Sequence, residues 1–331
     1  MKHISILVPR GEVVMGSIEG PHKVFSQVND FMTAMGGTPL FDIKLVGLSR
    51  EPQTYERVFT VTPQTTINEV KRTDLIIIPA VKFDPADGIE PNSDFLPWIT
   101  RQYKAGSEVA SLCLGAFLLA ATGLLKGKKC ATHWIAAGDF KRLFPDVNLV
   151  ADKIITDESG IYCSGGAYSH LNLILYLVEK YAGREMAVRC SKIFEIDIER
   201  GSQSPFIIFN GQKEHEDEAI KKAQVFIEEN YQKRITVEEL ASMFALSRRN
   251  LERRFKKATA NTTVEYIQRV KVEAAKMSLE SSRETINEVM YKVGYTDSKA
   301  FRTTFRKITG LSPLQYRSKY NKDLAPMAIA V

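Results

Sequence analysis

The sequence predicts two domains of different class, an α/β domain with a parallel sheet followed by an all-α domain with tandem helix-turn-helix units. Strand-like and helix-like segments alternate over the first two hundred residues, which is typical of a parallel sheet covered by helices on both faces. From Asp217 onward the pattern is almost entirely helical. The length of 331 residues also suits two domains better than one.

Within the α/β domain, short apolar runs predict strands, and apolar residues that recur every three to four positions predict helices. The expected strands are 3–8, 38–48, 58–62, 75–79, 108–113 and 160–163. The expected helices are 24–35, 95–104, one that follows Cys113 and ends at Leu125, and 169–181. The run Leu75–Pro79 is fully apolar, which favours a central strand.

Breaking residues and charge runs set the domain boundaries. The segment before Asp217 contains Pro205, Gly211 and a run of charged residues, which indicates a linker. We therefore expect a sensor and dimerisation domain at 1–204, a linker at 205–216 and the helical domain at 217–320. The last segment, 321–331, is expected to be a flexible tail.

Positive charge is concentrated in the last third of the chain. Residues 212–322 hold 23 Lys and Arg against 15 Asp and Glu, whereas residues 1–211 hold 22 against 23. This asymmetry is expected when one domain meets a polyanion and the other does not. A basic surface without function is the alternative interpretation of the charge alone.

Several function classes are not indicated. The four cysteines form no C-x-x-C pair, so we expect no metal site, and no organic cofactor is implied. Their wide spacing favours a reducing cytoplasm. The longest apolar helix candidate, Leu112–Leu125, is too short to span a bilayer, and the run Ile4–Val8 is too short for a signal peptide.

The helical part contains an internal repeat. Thr236 and Glu239 form a capping box, as do Thr285 and Glu288 forty-nine residues later. After each box the pattern predicts a short amphipathic helix, a tight turn and a second helix. The matched core positions of the second helices are Leu251 with Phe301 and Phe255 with Phe305, and further matches are Ala260 with Gly310, Thr263 with Pro313 and Tyr266 with Tyr316.

The second helix of each unit is expected to enter the major groove of DNA. Its exposed positions carry Arg and Lys, which bind phosphates and guanine edges, and polar residues that read other bases. The DNA-contact candidates are Arg248, Arg249, Glu252, Arg253 and Lys257 in the first unit, and Ser298, Lys299, Arg302, Thr303 and Arg306 in the second. Ordinary solvated helix faces are the alternative, which two matched copies disfavour.

The segment GYTDSKAFRTTFRKITGLSPLQYR, Gly294–Arg317, resembles the signature of AraC-type transcription regulators. The resemblance implies seven helices, with a linking helix near Val264–Leu279 between the two units. It also implies base contacts by Arg249, Glu252 and Arg253 in the first unit, and by Ser298, Lys299 and Thr303 in the second. The family often has Arg where this chain has Thr303, and Arg302 lies one position away.

Cys113 stands at a predicted sharp junction between a strand and a helix. Such a junction exposes a nucleophile, and the helix N-terminus is expected to lower the pKa of the thiol. Three interpretations remain open: a structural or pocket-lining residue, a redox sensor, and a hydrolytic nucleophile that uses His133 as base.

The segments Ser111–Trp134 and Thr156–Ala167 resemble the PfpI-type, class I glutamine-amidotransferase-like fold, closest to the subgroup fused to AraC-type domains. The resemblance implies a flavodoxin-like parallel sheet. Catalytic members have His after the nucleophilic Cys, where this chain has Leu114, so we expect a degenerate enzyme that senses a small metabolite or forms a homodimer. Because ligands bind at the carboxyl ends of parallel strands, the candidate pocket residues are Cys113, Leu114, His133, Trp134, Gly165 and Gly166.

The resemblance associates the subgroup with small nitrogenous metabolites. Ligand binding or dimer geometry in the first domain is then expected to shift how paired second domains sit on operator DNA. Two rival hypotheses are a cysteine hydrolase or amidase tethered to DNA, and an architectural DNA-binding protein without an effector.

Overall fold

The structure, a computed structural model, describes residues 1–82, 89–198, 201–213 and 215–321. The chain divides into two units after Gln203. Of the predicted tail 321–331, only Asn321 is described, and it is buried, with its side-chain amide donating to the main-chain oxygens of Leu279 and Ser282. Residues 322–331 lie outside the described residues.

The first unit is built around a mixed, mainly parallel sheet. Its strands are β1 (Lys2–Val8), β2 (Phe41–Gly47), β3 (Gln53–Tyr55), β4 (Phe59–Val61), β5 (Thr65–Thr66), β6 (Leu75–Ile78), β7 (Glu108–Ser111), β8 (Lys129–Cys130), β9 (Asn148–Leu149), β10 (Ile155–Glu158) and β11 (Ile161–Ser164). Its helices are α1 (Gly16–Ala34), α2 (Phe95–Lys104), α3 (Gly115–Ala121), α4 (Ala137–Leu143), α5 (His170–Ala182) and α6 (Arg184–Ile193).

Seven strands form the main sheet in the order β10-β11-β7-β6-β1-β2-β5. All neighbours are parallel except β10 and β11. Alternate residues of a strand contribute to two separate apolar cores: Leu75 and Ile77 of β6 belong to one, and Ile76 and Ile78 to the other. The predicted parallel sheet with both faces covered is therefore confirmed, and β6 is a central strand.

The sequence did not indicate the antiparallel edge of this sheet. Strands β10 and β11 are joined by Ser159 and Gly160, whose φ angles are +57° and +73°. Two consecutive residues with positive φ are the signature of a type I′ hairpin turn, which favours Gly at the second position.

Helix α1 begins at Gly16, eight residues before the predicted start at Val24. Gly16, Gly20 and Pro21 have low helix propensity and obscured the pattern. The buried face of the helix overrides these preferences, since Ile18 lies in the same core as Val24. The helix after Cys113 was also predicted wrongly at its end, because α3 stops at Ala121 rather than Leu125.

The second unit contains seven α-helices within its described residues. They are α7 (Glu218–Asn230), α8 (Val237–Met243), α9 (Arg248–Thr259), α10 (Thr263–Ser281), α11 (Ile286–Lys292), α12 (Ser298–Thr309) and α13 (Pro313–Tyr320). Helix α10 is the predicted linking helix, and it contributes Tyr266 to one apolar core and Leu279 to another. The two helix-turn-helix units therefore share one helix.

Residues 205–213, predicted as part of the linker, are bonded to the helices of the second unit. The main-chain oxygen of Ile207 accepts from Lys276 Nζ at 2.6 Å, and the main-chain N–H of Phe209 donates to Glu273 at 3.1 Å. The main-chain oxygen of Gln212 accepts from Gln224 at 2.8 Å. This part of the predicted linker therefore follows the surface of the helical unit.

Candidate functional site

The first helix-turn-helix unit consists of α8, a turn and α9. Thr236 and Glu239 form the capping box that starts α8. Ala245, in the turn, has a φ of +53°, and Ser247 caps α9 by accepting the N–H of Asn250 at 3.3 Å. Leu251 and Phe255 of α9 are fully buried. The predicted helix, turn and recognition helix are therefore present in this order.

The second helix-turn-helix unit repeats this arrangement with α11 and α12. Thr285 and Glu288 form its capping box. The turn contains Gly294 at φ +75°, and Asp297 caps α12 by accepting the N–H of Ala300 at 2.6 Å. Phe301 and Phe305 of α12 are fully buried, as their matches in α9 are. The predicted alignment of the two repeats is confirmed at these core positions.

The repeat extends to residues that the sequence analysis did not single out. Thr259 and Thr309 are both buried, and each donates its hydroxyl to the carbonyl four residues earlier. Thr262 with Glu265 and Ser312 with Gln315 form a further pair of capping boxes fifty residues apart. Both pairs fit the pattern of Ser or Thr followed three residues later by Glu or Gln, so the sequence itself contained the signal for this match.

The exposed face of each recognition helix carries the predicted DNA-contact residues. Arg248, Arg249, Arg253, Lys257, Lys299, Arg302, Thr303 and Arg306 are exposed, and Glu252 and Ser298 are half-buried. Side chains of this length and charge on the second helix of each unit match the requirements for groove binding.

Two of these arginines bond to neighbouring side chains. Arg248 forms ion pairs with Glu238 and Glu252, so its charge is compensated in the DNA-free protein. Arg253 donates to Asn250 Oδ1 at 2.9 Å, which orients the guanidinium without neutralising it. The positive charge of Arg253 is therefore less compensated by neighbouring side chains than that of Arg248.

A partly exposed ion pair fixes the first recognition helix from the side opposite its exposed face. Arg254 Nε lies 2.8 Å from Asp217 Oδ2, and Arg254 NH2 lies 2.5 Å from Asp217 Oδ1. Asp217 also caps α7 by accepting the N–H of Ile220 at 3.3 Å. The Arg254 guanidinium holds the pKa of the Asp217 carboxyl below its ordinary value. Helix α9 is thus tied to the start of α7.

In the N-terminal α/β domain, Cys113 lies at the turn between β7 and α3, with a φ of +55°. Only 5% of the residue is exposed. Its main-chain N–H donates to Ser164 Oγ at 3.2 Å, and its carbonyl accepts from Thr132 Oγ1 at 2.9 Å. The predicted sharp junction is therefore present, and both main-chain polar groups of Cys113 are bonded.

The expectation of a lowered thiol pKa at Cys113 is wrong. Burial raises the pKa of this thiol, and hydrogen bonds from the backbone of Ala167 and Leu114 offset the effect only in part. The thiol is therefore largely protonated at neutral pH. The junction itself is tight, because Gly115 lies against the end of β6, where a Cβ atom would be 2.4 Å from the main-chain oxygen of Pro79.

His133 and Trp134 follow Thr132 on the same edge of the sheet, and both are half-buried. His133 Nδ1 accepts the main-chain N–H of Ile135 at 3.1 Å. Burial lowers the pKa of the His133 imidazole, so the neutral form with a proton on Nε2 is favoured. A Cβ atom on Gly166 would lie 2.3 Å from the His133 ring, which explains Gly at that position.

Gln203, which was not among the predicted site residues, contacts both predicted pocket glycines. A Cβ atom on Gly165 would lie 2.9 Å from Gln203 Cδ, and the N–H of Gly166 donates to Gln203 Oε1 at 3.1 Å. Gln203 is 98% buried. A lone Gln 37 residues after Gly166 gives no local signal, because only the tertiary fold brings it to this edge of the sheet.

A cavity of about 240 Å³ lies in the helical unit. Its lining residues include Phe209, Glu228, Tyr231, Glu273 and Met277. None of the six predicted pocket residues lines it. The described residues contain no cluster of His, Cys, Asp and Glu suited to a metal ion. No helix in the described ranges is both long and apolar enough to cross a membrane.

Comparison with known proteins adds family information to this geometry. Residues 28–180 match the DJ-1/PfpI family, and residues 240–319 match a helix-turn-helix domain family. An AraC family transcriptional regulator from Pseudomonas putida has a similar structure, with a TM-score of 0.50, 16% identity, and coverage of 59% of this chain and all of that chain. At this identity the similarity shows the fold alone.

Three relatives are similar in sequence. The HTH-type transcriptional regulator GbdR of Pseudomonas aeruginosa is 24% identical over 68% of this chain and 61% of its own length. ArgR, another HTH-type transcriptional regulator of that species, is 25% identical over 65% of this chain and 66% of its own. Isonitrile hydratase of Pseudomonas putida is 24% identical over 57% of this chain and 75% of the enzyme.

The chain spans less than two thirds of the length of GbdR and ArgR. The matches nevertheless cover both described units, and the tandem units joined by α10 agree with the helix-turn-helix match. The chain therefore carries a DJ-1/PfpI-family domain followed by a helix-turn-helix domain, a combination that resembles AraC-type transcription regulators.

Proposed function

We propose that this chain is a sequence-specific DNA-binding transcription regulator, and that its N-terminal domain supplies the regulatory input as a sensor of a small nitrogenous metabolite or as a homodimer interface. One observation carries the proposal: two matched helix-turn-helix units share helix α10, and each presents exposed basic residues on its second helix. Two recognition helices on one body can reach successive major-groove faces, roughly 34 Å apart. Operator DNA as partner implies action in the cytoplasm.

The cations available for DNA are distributed over both recognition helices. In the first unit they include Arg249, Arg253 and Lys257, and in the second Lys299, Arg302 and Arg306. Phosphate contacts by such residues supply most of the affinity, whereas contacts to base edges supply the discrimination. Thr303 replaces the Arg frequent in the family, so we propose that Lys299 and Arg302 carry more of the contact in the second unit.

A hydrolase tethered to DNA is the second candidate, favoured by the strained backbone at Cys113 and by the similarity to isonitrile hydratase. Three features argue against it. The Cys113 thiol has a raised pKa, His133 uses Nδ1 for a main-chain contact, and Leu114 stands where catalytic members have His. We therefore propose a degenerate enzyme fold without hydrolytic activity.

Selection of bound fragments from a random-sequence DNA pool by the full chain tests the proposal. We expect enriched fragments with two conserved half-sites about one helical turn apart. Arg249→Ala should weaken binding at one half-site and Lys299→Ala at the other. Lys104→Ala, an exposed Lys at the end of α2, serves as the matched control. Failure to enrich any sequence, or equal losses with Lys104→Ala, would refute sequence-specific binding.

A further inference from the structure

The side chain of Gln203 fills a polar nest inside the N-terminal α/β domain. Its Nε2 atom donates to three main-chain oxygens, those of Thr132 at 3.0 Å, Ala151 at 2.8 Å and Lys153 at 3.1 Å. Its Oε1 atom accepts the N–H of Gly166 at 3.1 Å. These four backbone groups, here called the Gln203 nest, surround a side chain that is almost fully buried.

The donors and acceptors of the Gln203 nest do not balance for a carboxamide. An amide nitrogen carries two hydrogens, whereas three oxygens lie within hydrogen-bond distance of it. A primary ammonium group carries three hydrogens and a positive charge, and it bonds more strongly to carbonyl oxygens. The nest therefore suits a primary ammonium next to an acceptor oxygen at least as well as it suits Gln203.

The nest adjoins the predicted ligand pocket. Thr132, which supplies one of its oxygens, also donates its hydroxyl to the carbonyl of Cys113 at 2.9 Å. Gly166, which supplies its N–H, lies against the ring of His133. A small molecule with its ammonium group in the nest would thus place its remaining atoms beside the pocket residues that were predicted from the sequence.

Gln203 is also the last residue of the first unit. Its main-chain N–H donates to the oxygen of Asp152 at 2.9 Å, as does Ser202 Oγ. The next residues, from Pro205 on, are bonded to helices of the second unit, for example through Ile207 to Lys276. Displacement of Gln203 therefore releases the chain at the point where the sensor unit ends.

We propose that Gln203 is an internal ligand of the first unit, and that an effector with a primary ammonium group and an adjoining acceptor oxygen binds the Gln203 nest by displacing it. This inference rests on the proposed regulatory function and names the chemistry of its effector. Occupation by the effector and occupation by Gln203 exclude each other, so the ligand shifts the protein toward the state in which residue 203 is released.

The test compares ethanolamine with choline, which has the same hydroxyl group but no N–H. Full-length protein is examined as wild type, as Gln203→Ala, and as Ile208→Ala, which changes a side chain of the same segment that is 53% exposed and lies outside the nest. Ligand affinity is measured by thermal unfolding, and release of residues 201–213 by hydrogen exchange. In the wild type we expect ethanolamine, and not choline, to accelerate exchange in this segment.

Because an internal competitor acts at a high effective concentration, Gln203→Ala should bind ethanolamine about tenfold or more tightly than the wild type. Ile208→Ala should bind it as the wild type does. Equal affinity of wild type and Gln203→Ala, or an equal response to choline, would overturn the proposal. Should Gln203→Ala fail to fold, Gln203→Met retains the bulk without the polar atoms. No DNA enters these assays, so failure of operator binding is recorded separately.

Discussion

Lys271 Nζ lies 3.0 Å from the main-chain oxygen of Val293, at the turn of the second helix-turn-helix unit. The same ammonium group donates to the oxygens of Gly294 and Lys233, each at 3.2 Å. Lys233 belongs to the loop before α8, so one buried side chain of α10 contacts both helix-turn-helix units. Gly294 is required there, because a Cβ atom would lie 2.2 Å from the main-chain oxygen of Gln232.

Lys271→Met should destabilise the protein and make the two helix-turn-helix units more mobile relative to each other. Three carbonyls, of which that of Val293 is buried, would lose their donor, so we expect a loss of about 1–3 kcal/mol in the free energy of unfolding. Binding to operators with altered half-site spacing should be penalised less than in the wild type. Urea unfolding and binding to spacing variants measure the two effects. Lys292→Met, at an exposed Lys, is the control, and a change equally small in both variants would contradict the role.

The sequence predicted the helix-turn-helix units accurately but did not reveal this contact between them. Capping boxes and apolar spacing depend on residues three to five positions apart, so a linear pattern identifies them. Lys271 reads as a solvated residue on α10, and only tertiary packing brings the carbonyls of Lys233 and Val293 to it. The close approach of Gly294 to Gln232 depends on the same packing.

Phe305→Ala should unfold or loosen the second helix-turn-helix unit. The side chain is fully buried in the core that contains Phe301 and Tyr316, so truncation leaves a cavity and costs about 3–5 kcal/mol. Phe255→Ala should have a comparable effect on the first unit, whose core is separate. Chemical denaturation of the full chain measures both, with Leu314→Ala, which is 65% exposed, as control. A loss near that of the control would discredit the repeat alignment.

Asp217→Asn should destabilise the helical unit at neutral pH and have little effect in acid. Because the pKa of Asp217 is lowered by Arg254, its contribution is present above the ordinary carboxyl pKa and is lost as pH falls through the folded-state value. Both side chains are partly exposed, so we expect a loss of about 1 kcal/mol at pH 7.

Thermal unfolding of Asp217→Asn and wild type between pH 7 and about pH 3 tests this dependence. Glu218→Gln, which removes a charge from the exposed pair with Lys221, is the matched control. A difference between Asp217→Asn and wild type that stays constant over this pH range would assign the effect to capping of α7 rather than to the ion pair.

Cys113 should react slowly with iodoacetamide at neutral pH. Only the thiolate is nucleophilic, and burial of Cys113 disfavours it. Mass spectrometry of the native protein should show less than about a tenth of the alkylation rate of an exposed thiol. All four cysteines should react after denaturation. Rapid, selective alkylation of native Cys113 at pH 7 would instead favour the redox-sensor hypothesis.

The sensor-domain site was predicted only in part. The junction at Cys113 follows from an apolar run that meets a helical pattern, which is local information. The sign of its pKa shift depends on the tertiary fold, because burial of the thiol raises the pKa by more than the hydrogen bonds from the backbone of Ala167 and Leu114 lower it. Gln203 was assigned only to the end of a domain, and nothing adjacent to it indicates four partners elsewhere.

Arg253→Ala and Lys257→Ala should separate base reading from phosphate binding on α9. Arg253 is exposed and oriented by Asn250, so its removal should cost about 1–3 kcal/mol in discrimination between the selected operator and random DNA. Lys257, farther along the helix, should weaken binding to every sequence and reduce the salt slope by about one. Fluorescence anisotropy at several salt concentrations measures both quantities. Equal losses on specific and random DNA for Arg253→Ala would show that this residue contacts only phosphate, and an unchanged salt slope would remove Lys257 from the interface.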